Sequence, residues 1–180
     1  VALGVGHWWW QTRVCATTPA AFIRAVEQGD LAAAEWAFDR GHHEALGPRG
    51  LESAARHGDT PMVQFLLQRG VDPRKAVGAV GCAAASGNLE TVKVLLDARA
   101  DPLVCVFGSG TALHAAAAAG ANNVVEYLLQ QGMPIDIPDK DGNTPLIHAA
   151  LQAKPEAVEL LLRRGADRNK RNHQHQTVTE

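Results

Sequence analysis

The sequence contains few cysteines. Cys15, Cys82 and Cys105 are odd in number and lie far apart in the chain. They provide neither a disulfide framework nor the close spacing of ligands that a structural zinc site needs. This pattern is typical of a reducing compartment, and we therefore expect a cytoplasmic protein, with the nucleus as the alternative.

Long apolar runs and a strong net charge are also absent. No apolar run approaches the length of a membrane span, and no secretory signal is visible. The 17 basic and 19 acidic residues give a net charge of −2, so no overall field favours nucleic acid or an anionic membrane. We therefore expect a monomer that binds neither nucleic acid nor a membrane. The missing initiating Met favours the interpretation that this sequence is part of a longer chain.

The motifs of catalytic and cofactor sites are missing as well. There is no phosphate-binding loop, and Gly108-Ser109-Gly110 lacks the third glycine of a dinucleotide fingerprint. The few serines do not stand in a nucleophile elbow. His42-His43 and the pair His173 and His175 lack cysteines or carboxylates at ligand spacing. The sequence therefore predicts no catalytic residue, no cofactor and no bound metal.

A helix pair is clearest between residues 141 and 169. Thr144 is suited to cap a helix, and Pro145 stands at the first helical position, where its missing N–H costs nothing. Apolar residues follow at three-and-four spacing in this helix and in a second one that starts near Pro155 and ends before Gly165. Helices of about ten residues are marginal alone in water, so this unit needs neighbours.

Similar units precede this helix pair at regular intervals. Gly29, Gly58, Gly87 and Gly120 each separate two apolar helical patterns and are 29, 29 and 33 residues apart, and Ala153 continues the interval of 33. A period in this range is typical of a solenoid in which each repeat is one helix pair. The pattern predicts five stacked pairs.

The motifs within these units resemble the ankyrin-repeat family. The resemblance rests on Thr-Ala-Leu-His at Thr111–His114, Asp-Gly-Asn-Thr-Pro-Leu at Asp141–Leu146 and Gly-Ala-Asp-Arg-Asn at Gly165–Asn169. It implies an all-α, ankyrin-repeat solenoid of five stacked helix pairs with short loops or β-hairpin fingers. The first three copies lack the Thr-Pro-Leu-His opening, and the spacing of 29 shortens their fingers by four residues. The expected divisions are a leader at 1–18, a repeat domain at 19–169 with repeats at 19–47, 48–76, 77–105, 106–138 and 139–169, and a polar tail at 170–180.

The two ends of the chain depart from the repeat pattern. Trp8-Trp9-Trp10 in the leader either covers the first repeat or binds a partner, or belongs to a disordered leader, which we favour because no helical or strand period surrounds it. The basic tail is either an acidic-partner or localisation site or, as we favour, a solvated segment. The last helix pair keeps its apolar pattern, which favours further repeats beyond it.

The finger between the third and fourth repeats is unusually apolar from Leu103 to Phe107. Leu103 and Val106 either contact a partner or pack against adjacent fingers, whereas we favour partner contact for Phe107. The counterpart finger, Pro134–Asn143, has the polar tip Asp139-Lys140-Asp141.

The family resemblance also implies which positions face a partner. These are the last two residues before each inter-helix glycine and the finger tips. His114 is expected to bond loop backbone of the adjacent repeat. The predicted partner-binding residues are Arg56, His57, Ala85, Ser86, Phe107, Ala118, Ala119, Lys140, Asp141, Asn143, Leu151 and Gln152.

Two functions remain open at this point. The first is a non-catalytic protein–protein interaction module that binds a partner through the concave inner-helix and finger surface, with an apolar centre in repeats three to five and a basic edge at Arg56 and His57. The alternative is a regulatory or targeting segment of a larger multidomain enzyme or channel. In addition, Asn169 is similar to asparagines that are hydroxylated in this family.

Overall fold

The computed structural model of the protein describes residues 19–39, 43–104 and 110–178. This part of the chain contains ten α-helices and no β-strand. In chain order they are α1 (Pro19–Glu27), α2 (Leu31–Ala37), α3 (His43–His57), α4 (Thr60–Gln68), α5 (Ala79–Ser86), α6 (Leu89–Asp97), α7 (Ala112–Ala119), α8 (Asn122–Gln130), α9 (Pro145–Leu151) and α10 (Pro155–Arg163). The predicted all-α solenoid of five helix pairs is confirmed, and the predicted leader at 1–18 lies outside the described residues.

The helices form antiparallel pairs that stack in chain order. Each odd-numbered helix, called inner here, packs against the even-numbered helix that follows it and against the inner helices on either side. The even-numbered, outer helices from α4 to α10 pack against one another in the same order. The stack is therefore a double row of helices in which the main contacts lie within a repeat or between adjacent repeats.

A leucine or phenylalanine from nearly every helix fills the space between the two rows. Burial of such a side chain contributes about 1.5–3 kcal/mol each. The fully buried members include Phe22, Leu51, Leu66, Leu95, Leu113, Leu128, Leu146 and Leu161. Because these residues contact the next repeat as well as their own, the core is continuous along the stack.

Short polar side chains begin several outer helices, as the sequence predicts. Asp30 and Asp59 accept hydrogen bonds from the backbone N–H groups of Ala33 and Met62, at 3.0 and 3.1 Å. Asn88 does the same for α6. These caps satisfy N–H groups that have no partner inside the helix, and each is worth about 1 kcal/mol. Thr144 caps α9 in the same way.

The turn between inner and outer helix uses one left-handed residue in every repeat. Its φ values are 66° at Gly29 and Gly58, 74° at Gly87 and 76° at Gly120. Ala153 occupies this position in the last repeat with φ 50°, which confirms that it continues the glycine series. An L-residue with a Cβ pays about 1–2 kcal/mol for this conformation.

The connections between repeats differ from one another, and so does the segment after α10. The connection at 69–78 is shorter than those at 98–111 and 131–144, in keeping with the 29-residue spacing. Helix α3 begins at His43 and includes Pro48, so it crosses the predicted limit between residues 47 and 48. The favoured interpretation of the tail as solvated is wrong for Asn172, which is buried, and Val178 packs on the core.

The left-handed alanine generates a stability prediction. Ala153→Gly should raise the free energy of unfolding by about 0.5–1 kcal/mol, because glycine adopts this conformation without steric cost and Ala153 is exposed. Ala32→Gly, the same change at an exposed residue inside α2, should instead cost about 1 kcal/mol. Urea unfolding of both variants tests this, and a loss of stability in Ala153→Gly would contradict it.

Candidate functional site

The inner helices form a shallow apolar groove on their exposed side. Its volume is about 480 Å³, in the range of a site for a few side chains or a small ligand. It crosses α3, α5 and α7 and reaches Gln152, the residue that follows α9. The lining residues are Arg56, Gly81, Cys82, Ala85, Ala115, Ala118, Ala119 and Gln152. We call this feature the inner-helix groove.

The groove exists because the residues along its centre have small side chains. Gly81 and Cys82 are buried and form part of its floor, while Ala85 and Ala119 are exposed at its edge. Larger side chains at these positions would fill the space between adjacent helices. The polar groups stand at the ends, with Arg56 in the second repeat and Gln152 in the fifth.

The structure brings five of the predicted partner-binding residues into this groove. They are Arg56, Ala85, Ala118, Ala119 and Gln152. The other predicted helix residues lie outside the lining. The ring Nδ1 of His57 is 2.8 Å from the carbonyl oxygen of Ser53, and the Ser86 hydroxyl donates to the carbonyl of Ala83 at 2.9 Å. Leu151 is 68% exposed.

The finger Pro134–Asn143, called the fifth finger here, contains the other predicted residues that the structure describes. Lys140 and Asp141 are exposed at its tip. Asn143 is half-buried, and its side chain donates to the Asp139 carboxylate at 3.2 Å and accepts from the Asn172 amide at 2.9 Å. Its polar groups are therefore engaged within the stack. Phe107 lies outside the described residues.

His114 connects the fourth repeat to this finger, as the resemblance implies. Its Nδ1 accepts the backbone N–H of Thr111 at 3.0 Å, so Nε2 carries the proton and donates to the carbonyl of Asn143 at 3.0 Å. The ring is 2% exposed. Burial lowers the pKa of His114, and the neighbouring His148 ring lowers it further, against the raising effect of the bond to Asn143.

Asp139 is buried, although the sequence suggests that it belongs to the polar tip of the finger. Its side chain is 1% exposed, and one carboxylate oxygen accepts the backbone N–H groups of Asp141 and Asn143, both at 2.8 Å. The other oxygen is 2.8 Å from Nε2 of His148. Burial alone raises the pKa of Asp139, but the bonds from His148, Asn143 and Asp141 outweigh burial and hold it below its ordinary value. The carboxylate thus fixes the shape of the finger.

Leu103 and Val104 are the residues of the apolar finger, Leu103 to Phe107, that the structure describes. Leu103 is 53% exposed and Val104 is 41% exposed, so the interpretation in which Leu103 packs against adjacent fingers is wrong. Val106 lies outside the described residues. Leu103 and Val104 are therefore two exposed apolar side chains on the described part of this connection.

The part of the chain that the structure describes shows neither a metal-binding cluster nor a membrane-spanning helix. No group of three or more His, Cys, Asp or Glu side chains is placed to hold a metal ion there. None of the helices in the described ranges combines the length and the apolar character needed to cross a bilayer.

The buried network generates a pH prediction. Because the pKa of His114 is lower in the folded state, the unfolded chain takes up this proton at a higher pH than the folded chain does. The stability that the neutral ring contributes is therefore present above about pH 6.5 and declines as pH falls below it. The stability from Asp139 is lost at lower pH, as pH falls below about 3.8 and through its depressed folded-state pKa. Unfolding free energy should therefore fall between pH 7 and pH 5, by at most about 1.4 kcal/mol per pH unit for one histidine.

Chemical denaturation at several pH values tests the assignment to His114. His114→Gln should flatten the slope between pH 7 and pH 5, whereas His57→Gln, at an exposed ring, should keep the wild-type slope. Equal slopes in wild type and His114→Gln would show that another group titrates.

Comparison with known proteins agrees with this architecture. The family model described as ankyrin repeats (3 copies) matches residues 80–172, and a second, ankyrin repeats (many copies), matches residues 51–96. Ankyrin repeats are protein-interaction modules. Because the first match covers more than half of the chain, it establishes the family independently of any single relative.

Segments of larger proteins are similar to parts of the chain. Protein phosphatase 1 regulatory subunit 12A of Mus musculus is 49% identical over 53 residues, which are 29% of this chain and 5% of that protein. E3 ubiquitin-protein ligase KEG of Arabidopsis thaliana is 40% identical over 58 residues, 32% of this chain and 4% of that protein. B-cell lymphoma 3 protein homolog of Mus musculus is 45% identical over 60 residues, 33% of this chain and 13% of that protein. This chain thus spans a small part of each relative's length, and it belongs to the ankyrin-repeat family.

Proposed function

We propose that the chain is a non-catalytic protein-interaction module that binds a segment of a partner protein in the inner-helix groove. The observation that carries this proposal is the groove itself, whose lining includes five of the predicted partner-binding residues, from four repeats. A rigid stack of helices holds these positions in place before binding, so little ordering entropy is lost there.

The chemistry of the groove indicates what kind of segment fits. The floor of alanine, glycine and cysteine leaves room for an apolar side chain of the partner. Arg56 at one end suits a carboxylate or carbonyl of the partner, and the Gln152 amide at the other end suits backbone groups. A segment of several residues that crosses the inner helices makes both contacts.

The finger tips contribute the outer part of the surface in this proposal. Lys140 and Asp141 offer opposite charges at the fifth finger, and Phe107 offers an aromatic side chain from the apolar finger. The proposed role of Phe107 is supported by the exposure of Leu103 and Val104, which precede it in the sequence of the apolar finger. Aromatic side chains are frequent anchors of protein interfaces.

A bulky substitution at the groove edge tests the proposal. Peptides selected from a phage-displayed library on the wild-type chain serve as probes, and calorimetry gives their Kd. Ala85→Arg should weaken binding by about 2 kcal/mol, roughly thirtyfold, because the new side chain occupies the groove. Ala32→Arg makes the same change at an exposed position of α2 and should leave the Kd unchanged. Equal affinity in all three proteins would refute the groove as the binding site.

The finger is tested separately by Phe107→Ala. If Phe107 anchors the partner, its truncation should cost about 2 kcal/mol or more in binding free energy for the same peptides. Leu31→Ala truncates an exposed apolar residue of α2 and is the matched control. An unchanged Kd with an intact fold would remove Phe107 from the mechanism while leaving the groove untouched.

A second candidate function is a regulatory or targeting segment of a larger multidomain protein. It is favoured by the similarity to a protein phosphatase 1 regulatory subunit and to an E3 ubiquitin-protein ligase, in which the matched segments are 5% and 4% of the length. Sequencing the complete transcript distinguishes the two candidates, since a catalytic or channel domain in the same reading frame supports the second.

A further inference from the structure

The segment after α10 repeats the fifth finger at the register of 33 residues. The backbone N–H of Asp139 donates to the carbonyl of Asn143 at 2.9 Å, and that of Asn172 donates to the carbonyl of Gln176 at 3.1 Å. The left-handed turn residue of the fifth finger is Gly142, with φ 79°. Residues 167–176 thus form what we call the sixth finger, which corresponds to Pro134–Asn143.

The side-chain bonds inside the two fingers correspond as well. One oxygen of Asn172 accepts the backbone N–H groups of Gln174 and Gln176 at 3.0 and 2.9 Å, as Asp139 does in the fifth finger. His175 takes the place of Gly142 and adopts φ 63°. A histidine in this conformation is uncommon, which indicates that surrounding contacts determine the turn.

The sixth finger is attached to the fifth by hydrogen bonds from three of its residues. The backbone N–H of Asp167 donates to the Asp136 carboxylate, at 3.2 and 3.3 Å from its two oxygens. The Asn172 amide donates to the side-chain oxygen of Asn143 at 2.9 Å, and the backbone N–H of His173 donates to the carbonyl of Asp141 at 2.9 Å. Asn172 is 8% exposed. The residues that follow the last helix are therefore held in a defined place beside the proposed binding surface.

The sixth finger has three cationic residues at positions where the fifth finger has apolar residues. Arg168, Lys170 and Arg171 stand at the positions of Ile135, Ile137 and Pro138, and all three cationic residues are exposed. Of these three side chains, Arg171 takes part in the hydrogen bonds of the finger, since its guanidinium donates to the carbonyl of His175.

Among the residues that the structure describes, these three cations form no ion pair, although Asp167 belongs to the same finger and the Asp136 carboxylate bonds to its backbone. Within residues 19–39, 43–104 and 110–178, no carboxylate lies within ion-pair distance of them, whereas Arg163 and Arg164 pair with Glu159 and Glu126. Three unpaired cations within four residues favour an anionic ligand.

We propose that Arg168, Lys170 and Arg171 on the sixth finger form a binding site for an acidic segment of a protein partner. The overall charge of −2 gives no field that would attract a nucleic acid, so a short acidic peptide fits this local cluster better. The site is separate from the inner-helix groove, and it stands whether or not the groove binds a peptide.

Fluorescence anisotropy with a labelled glutamate-rich decapeptide and the full 180-residue chain tests this site. Wild-type protein should bind the peptide at 50 mM salt and less tightly at 300 mM. Arg168→Gln/Lys170→Gln should weaken binding about five- to tenfold, from two exposed ion pairs. Arg163→Gln/Arg164→Gln removes the same charge from α10 and its C-terminal cap and should change the Kd less than twofold.

The role of the finger is tested with Asn172→Ala, which keeps every charge but removes the acceptor of the turn and the bond to Asn143. It should weaken binding of the decapeptide by a factor similar to that of the double variant. Unchanged binding would overturn the proposal that the finger positions the charges.

Three other results would overturn the site itself. They are no binding by wild type at about 1 mM peptide, an equal loss in the two double variants, and tighter binding of a 20-base-pair duplex or of anionic vesicles than of the peptide. None of these results bears on Ala85→Arg, so failure here and failure of the groove are distinguishable.

Discussion

Burial shared between neighbouring repeats is the interaction on which this structure depends. Most of its helices have seven to nine residues, and helices of this length do not persist alone in water. Helix α5 shows the constraint most directly. Residues 79–84 are all buried, with α3 on one side and α7 on the other, although Gly81 lowers its intrinsic helical stability by about 1 kcal/mol. Packing from both sides is what makes it a helix.

Hydrogen bonds between successive repeats stabilise the fifth and sixth fingers, in addition to the packing between helices. His114 of one repeat donates to the backbone of Asn143 in the next, and the Asn143 side chain accepts from Asn172 one repeat further on. The fifth finger is therefore fixed by groups from both of its neighbours as well as by its own turn. Because backbone groups in such loops would otherwise be solvated and mobile, this chain of bonds holds the finger tips in a fixed relation to the inner helices.

The sequence predicted those features that follow from short-range rules. The 29- and 33-residue intervals located the helix pairs, and Thr144 located a helix start that the structure confirms. His114 was also predicted, since its spacing matches the family motif.

Other features depended on contacts that a local pattern does not contain. An aspartate in a turn is usually solvated, so the burial of Asp139 follows only from the position of His148 and of the next finger. The sixth finger was missed because His175 and Asn172 replace the glycine and aspartate that mark the fifth. Applying the interval of 33 residues to positions 139–144 would have found it. The first helical turn of α3 was hidden by Pro48, which suggests a helix start rather than an interior position.

Small residues have two roles in this stack: some are required for packing between helices, and others line the groove that we propose as a binding site. Gly81, Ala116 and Ala117 are buried, so enlarging them would force neighbouring helices apart. Ala85 and Ala119, on the same helices, are exposed, and substitution at such positions usually changes stability by less than about 0.5 kcal/mol. Side chains can therefore vary along the edge of the groove without loss of the fold. For the proposed binding sites, we expect partner specificity to depend on positions where packing does not restrict the size of the side chain. The groove edge and the exposed side of the sixth finger are two such places.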